Sequence, residues 1–358
     1  MTHAHRLPSL LLGLFVFALA GCGGGATTTG GGETTVPPQN ARPAWERSPL
    51  ALLPRDAFLV AHLDGRQLRA SPYFSLVETI FRSQTRDQSD EAAQSVGLLL
   101  SGTDEVWLSA RDGAGHGDVE VLAVLRGAGV ESAMRRALVE EHPSGAHETK
   151  RHAEIWHSGD DGAFVRLDAK TWVISVDGGL EGLLERVEGT TQGDPLGDAR
   201  LRTTAERVHF STGAPAAIVA HLPQRVRAML ANEGAPLSLL ADADYLAARV
   251  DATNGLVIDL TADMTSADAA ARAEDALRGI VSSYASNPMV ALMGLSDILR
   301  RIDVRATGAR IDVRASTTDE ETRSLLQRYG ELLGSALSER ESPSRDARLA
   351  SLSQSAAR

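Results

Sequence analysis

Two heptapeptides that match at five of seven positions, Ala57-Phe-Leu-Val-Ala-His-Leu63 and Ala216-Ala-Ile-Val-Ala-His-Leu222, constrain this chain more than any other feature. Each opens a series of segments whose order recurs, the mark of an internal duplication. Trp107-Leu-Ser-Ala-Arg111 parallels Tyr245-Leu-Ala-Ala-Arg249, and a turn and an apolar strand follow each, over 119–125 and 256–262. A helix is predicted next in both halves, over 130–141 and over 266–284, the second with Ser266 as its N-cap. Paired strands come after it, 154–158 with 164–167 and 302–306 with 311–315, then a closing helix over 180–187 and 320–333. The first half holds one strand more, 172–176. Each half therefore reads roughly as β-α-β-β-α-β-β-α.

Ile302, Val304 and Ala306, and Ile311, Val313 and Ala315, alternate with polar residues in the period of two that marks strands with one covered face. Asn254-Gly255 is a strong type I′ hairpin signal, with Asp161-Gly162 and Thr307-Gly308 weaker ones. Tight hairpins join antiparallel neighbours, so the expected class is α+β: two related halves, each a mainly antiparallel sheet with helices packed on one face. The halves are placed at 50–197 and 198–334. Before them, 22–49 is Gly-, Thr- and Pro-rich and is read as a flexible linker; after them, the small and polar 335–358 is read as a disordered tail.

The chain starts with a weakly basic stretch, His3, His5 and Arg6, and then an apolar run, Leu10 to Ala20. Eleven helical residues rise only ~16 Å, about half of a bilayer's hydrocarbon core, which suits a signal-peptide core better than a membrane span. Leu19-Ala20-Gly21-Cys22 follows, and it resembles the lipobox of bacterial lipoproteins, an aliphatic residue and two small ones before the acceptor cysteine. The resemblance covers the first 22 residues alone. It implies that Leu19, Ala20 and Gly21 are read by the signal peptidase, that 1–21 are removed, and that Cys22, the chain's one cysteine, carries diacylglycerol on sulfur and an acyl group such as palmitate on its new amine. Two or three acyl chains hold a protein durably to a membrane, where one does not. In lipoproteins of double-membraned bacteria an Asp after the cysteine commonly signals inner-membrane retention; Gly23 stands here, which points to the outer membrane, with the body on its periplasmic face.

The formal charge of −11 becomes −12 once the leader, with one arginine and no acid, is gone. Polyphosphate binding draws on excess Lys and Arg, so a nucleic-acid partner is not expected. A search for chemistry finds no assembled catalytic set. Gly113-Ala-Gly115-His-Gly117 lacks the Lys-Ser/Thr of a phosphate loop and leads into a strand, so it reads as a hairpin loop. His142, His147, His152 and His157 fall at steps of five and are weak metal candidates, with Glu148 beside them. His147-Glu148 departs from the HExxH pattern because Arg151 stands where the second histidine belongs. A step of five splays helical ligands by ~140°, and Pro143 and Gly145 argue for a loop.

His62 and His221 are the repeat-related pair, which could meet across a pseudo-twofold axis or simply sit at sheet ends; Asp64 has Gln224 as its counterpart, so no shared acid–base pair is expected. Asp160 with Asp161, and Asp242 with Asp244, read as turn residues. Asn287-Pro-Met-Val-Ala-Leu-Met-Gly-Leu295 carries two methionines and reads as core packing or a partner groove. The leading expectation is a membrane-anchored envelope lipoprotein with a non-enzymatic binding or structural body, no cofactor, and an envelope protein as possible partner. The alternatives are a His-dependent metal hydrolase and a small-molecule carrier with a pocket between the halves.

Overall fold

The computed structural model describes residues 43–76, 78, 102–113, 119–141, 147–158, 162–210, 214–234, 237–292 and 294–328. The leader, Cys22, His142, Asp160, Asp161 and the tail 335–358 lie outside them. After a short helix α1 (Ala44–Arg47), the first half runs β1 (Leu59–Asp64), α2 (Gly65–Ala70), β2 (Glu105–Asp112), β3 (Val119–Arg126), α3 (Val130–Glu141), β4 (Glu148–Lys150), β5 (Ala153–Ser158), β6 (Gly162–Asp168), β7 (Thr171–Val176) and α4 (Leu180–Glu188). Helix α5 (Ala199–Arg207) leads into the second half: β8 (Ala216–His221), α6 (Gln224–Ala231), β9 (Ala243–Asp251), β10 (Val257–Met264), α7 (Ala267–Ala285), α8 (Pro288–Leu292), α9 (Ser296–Arg300), β11 (Asp303–Thr307) and β12 (Arg310–Ser316). Residues 319–328 are helical and form α10.

All twelve strands belong to one antiparallel sheet in the order β11-β12-β10-β9-β8-β1-β2-β3-β7-β6-β5-β4. The α+β class holds, and the two halves share this sheet through the β1–β8 pair. Its register is symmetric. Leu59 faces Ala220, Ala61 faces Ile218, and Val60 faces Val219, so the equivalent valines of the two heptapeptides meet each other at a pseudo-twofold axis normal to the sheet. Outward from the axis the repeat persists. Trp107 is opposite His62 as Tyr245 is opposite His221, and the cross-strand ion pair Arg111–Glu120, at 2.6 Å, recurs as Arg249–Asp259, at 3.0 Å.

The strand order also identifies the extra element. The hairpin β11–β12 pairs on β10 through β12, and in the first half β3 is followed by β7 and then β6. The hairpin equivalent to β11–β12 is therefore β6–β7, and the additional strands are β4 and β5 at the far edge, not the 172–176 strand that spacing suggested. Residues 43–49, expected to be linker, are folded: Trp45 and Pro49 are buried, and Leu52 and Leu53 are fully enclosed. One indole and two leucines supply the apolar area that the Gly- and Thr-rich stretch before them lacks.

Alternation along the strands gives the sheet two apolar faces. On the first, Val60, Trp107, Leu122, Val173, Val219 and Ala247 pack with Leu183 and Leu184 of α4 and Leu201 and Ala205 of α5. On the second, Leu59, Ala61, Leu108, Leu246 and Ala262 pack with α7, whose alanines 269, 270 and 273 permit a close approach. Helix α3 lies on this same second face, where Val130, Met134 and Leu138 meet Leu125, Trp156 and Trp172. The long helices of both halves thus share a face, as a twofold normal to the sheet requires.

Helix α7 starts where Ser266 Oγ accepts from the Ala269 amide at 3.1 Å. Helix α3 is pinned by Glu131, which accepts from Arg166 Nε at 2.8 Å and from the buried Trp172 Nε1 at 3.1 Å. The chain turns at Asn254-Gly255 between β9 and β10, but not in the two-residue type I′ form its dipeptide predicts: five residues, 252–256, join the strands, and of the pair Gly255 alone has positive φ, +100°, where a Cβ would stand 2.0 Å from the Thr317 carbonyl oxygen.

A buried tyrosine ties this turn to α10. Tyr73, 1% exposed, donates its hydroxyl proton to Asp319 Oδ1 at 2.6 Å and accepts from the Gly255 amide at 2.9 Å. Replacing Tyr73 by Phe leaves that amide buried without a partner, which costs about 1–3 kcal/mol. Urea unfolding of Tyr73→Phe is expected to show a loss in this range with an unchanged denaturant slope; an unchanged midpoint would contradict the role given to the hydroxyl.

Candidate functional site

The second half presents its least orthodox surface where α7 ends. Arg278, Val281, Ser282, Ala285 and Ser286 recur at three- and four-residue steps and so share one flank of the helix. With Arg300 of α9 and Ile302 and Val304 at β11, they line a groove of about 240 Å³. Arg278 donates to the Val304 carbonyl at 2.9 Å and pairs with Glu274 at 2.6 Å, while Arg300 pairs with Asp297 at 3.1 Å. Each guanidinium at the rim is balanced by a carboxylate of its own helix. Beside the groove the chain turns into α8, of which Val290 is buried while Tyr284, Met289 and Leu292 stand 58%, 67% and 80% exposed. Within the methionine-bearing segment 287–295, Val290 is therefore a core residue while Met289 and Leu292 are exposed; Met293 lies outside the described residues. Arg278, Arg300 and Tyr284 went unremarked as site residues in the sequence, although the uncharged run 279–296, which starts after Arg278 and contains Tyr284, is legible there.

The seam between the halves is a ladder of backbone hydrogen bonds with both its flanks packed, not a cleft. Among the described residues the β1–β8 seam is continuous sheet, with no gap at the place where the carrier reading puts its pocket. His62 and His221 do not meet. They lie two residues to either side of the Val60–Val219 pair, about 13 Å apart along the strands. Each stacks instead on the aromatic ring opposite it, His62 on Trp107 with centroids 4.2 Å apart and His221 on Tyr245 at 5.0 Å. His62 Nδ1, Trp107 Nε1 and Ser109 Oγ are buried on this face with no hydrogen-bond partner among the described residues.

A second buried polar group lies under the start of α4. Arg111 donates to Glu120 Oε2 at 2.6 Å, and Glu120 is 5% exposed. Arg186, 7% exposed, donates to the Leu52 carbonyl at 2.7 Å. Burial, reinforced by the neighbouring charge of Arg111, pushes the Arg186 guanidinium down to about 10. Gly179 and Gly182 leave room for these side chains, since a Cβ at Gly179 would lie 2.6 Å from Glu120 Oε1. The arrangement fastens α4 to the sheet and to the segment around Leu52.

Of the histidines at steps of five, His147, His152 and His157 lie in the described residues and are kept apart by the β4–β5 hairpin. His147 stacks on Trp156 at 5.0 Å, and Trp156 packs on the second face of the sheet; His157, one residue on and so on the opposite face, bonds Glu148 Oε1 at 3.1 Å. His152 sits in the β4–β5 turn with φ +67°. Among the described residues no group of three or more His, Cys, Asp or Glu side chains is placed to hold a metal ion. Asp242 and Asp244 do engage partners, Arg272 at 3.3 Å and Arg227 at 2.8 Å, at the start of β9.

His62 is the titratable group that the fold perturbs most clearly at the seam. Burial, opposed by Glu105 and Asp64, holds its imidazole below the usual 6.5. The unfolded chain then takes up the proton first, so stability is complete above about pH 6.5, falls as the pH drops through that value, and levels off below the folded-state pKa. Urea midpoints of the wild type are expected to fall between about pH 7 and pH 5 by more than those of His62→Gln. Parallel pH profiles would contradict this.

No family model and no curated protein matches the chain. Three solved structures of TP0453 are similar in fold. Crystal form III is 10% identical, covers 77% of this chain and 96% of that one, and has a TM-score of 0.48. Form IV is 12% identical over 78% and 97% of the two chains with a TM-score of 0.48, and form I is 9% identical over 79% and 98% with 0.44.

Proposed function

We propose that the chain is a lipid-anchored lipoprotein of the bacterial cell envelope whose duplicated α+β body serves as a non-enzymatic binding or structural module. The observation that carries this reading is Leu19-Ala20-Gly21-Cys22 directly behind the apolar run Leu10 to Ala20. The thioether-linked diacylglycerol on Cys22 holds the protein to the bilayer, and Gly23 after it favours the outer membrane with the body on the periplasmic side. Attachment through lipid agrees with the body's own character: among the described residues no helix is long and apolar enough to cross a membrane. The non-enzymatic reading is favoured over the metal hydrolase because His147 and His157 are directed to opposite faces of the sheet.

Intact-mass and peptide analysis of the mature protein is expected to find Cys22 as the first residue, with diacylglycerol on sulfur and acyl on the amine. Cys22→Ser is expected to abolish palmitate incorporation and to leave an uncleaved precursor. A mature terminus elsewhere with a free thiol at Cys22 would overturn the proposal.

A further inference from the structure

Residues 279–296 form a run without a single charged side chain, bounded by Arg278 and Asp297. In a chain that is 23% charged, eighteen residues would ordinarily hold about four charges. The run is not charge-free because it is core. Within it Val290, Ala285 and Ser296 are buried, while Tyr284, Met289 and Leu292 are among the most exposed large apolar side chains of the described residues. Water contact of this kind is unfavourable by about 25 cal/mol for each Å² of apolar surface, and it persists in folded proteins mainly where another phase or partner removes it.

We propose that this projection, the last turn of α7 with α8, is a membrane-contact surface: Tyr284, Met289 and Leu292 enter the boundary between headgroups and acyl chains, and Arg278 and Arg300 remain at its polar rim. Four observations favour a lipid surface over a protein. Three large apolar side chains, Tyr284, Met289 and Leu292, make a small patch beside the ~800 Å² per partner, about 20–30 residues a side, of a stable protein interface, whereas a bilayer accepts an apolar knob of any size. Tyrosine beside aliphatic side chains, with arginines set back from them, matches the layering of the interfacial zone. Arg278 and Arg300 at the rim are paired with Glu274 and Asp297, so each comes to the headgroups as a neutral ion pair despite the acidic chain, and the Arg328 guanidinium stands beside Gly294 at the same rim. Finally, the inference rests on the anchored reading for its membrane. Residues 23–42 span up to ~70 Å when extended, more than the ~53 Å across twelve strands, so any face of the body is able to reach the bilayer. The acyl anchor then raises the effective concentration of a contact that already binds by itself.

The test uses the mature chain from residue 22 with Cys22→Ser, which carries no acyl group, and neutral vesicles of phosphatidylcholine and phosphatidylethanolamine. Flotation is expected to show binding that changes less than about twofold in ~0.5 M salt, because burial of apolar surface and not screened charge drives it. The double variant Met289→Glu, Leu292→Glu is expected to bind at least about tenfold more weakly with the same melting temperature, since neither side chain is part of the core. Failure of the parent chain to float, or equal flotation of the double variant, overturns the inference. So does a parent that is a dimer in solution and a double variant that is a monomer, which would give the surface to a second copy. If vesicles bind as expected but Cys22 proves unacylated, the anchored reading falls and this surface stands.

Discussion

The antiparallel pairing of β1 with β8 is the contact on which the rest of the molecule depends. The amide of His221 donates to the Phe58 carbonyl at 2.7 Å and that of Asp64 to the Pro215 carbonyl at 2.8 Å. Alternation of narrow and wide pairs between these ends makes Val60–Val219 a hydrogen-bonded pair of the ladder, lying on the pseudo-twofold axis. Both valines are fully buried, with no exposed surface. Each half by itself would leave this strand as a long apolar edge, open to pairing with another chain; joining the two copies of the heptapeptide satisfies both edges at once. The duplication thus has a physical role. One sequence, used twice, is complementary to itself when turned through a half rotation.

That arrangement moves any binding role outward. Among the described residues, a seam closed by backbone hydrogen bonds and packed on both faces leaves no cleft between repeats. What the body offers instead lies at its periphery. One sheet edge is the three-residue β4, short enough to discourage further pairing, and the other is β11, whose Asp303 and Arg305 are exposed and charged. Beyond α5, the β10 and β12 part of the first face carries ion pairs such as Arg314–Asp259 and Arg207–Asp263. The uncharged projection after α7 stands apart from all of this, with Tyr284, Met289 and Leu292 exposed to solvent.

Much of the fold was legible because it is written in local terms. The heptapeptides, the Asn254-Gly255 turn and the Ser266 cap each depend on residues close in sequence, and each stands where its pattern placed it. The errors came where a distant neighbour decides. Nothing local distinguishes β5 from β7 as the surplus strand, since both are short and apolar; the choice is fixed by which of them reaches β3. Trp45 lies in a Pro-rich stretch that resembles linker, and only its burial against the folded body reveals it as core. His62 and His221 were paired by homology of position, but a twofold axis between antiparallel strands sends equivalent residues away from each other unless they lie on it, as Val60 and Val219 do. The candidate surface was half visible: the methionines drew notice, while the absence of charge around them carried the stronger signal.

The central claim, that two copies of one unit fold as a single body through β1 and β8, is tested most directly by native-state hydrogen exchange at the amides of Val60 and Val219. Equal protection at both sites, matching the free energy of global unfolding and lost together with it in denaturant, is the predicted result. Exchange of either amide through a lower-energy opening, with one half still protected while the other has unfolded, would contradict it.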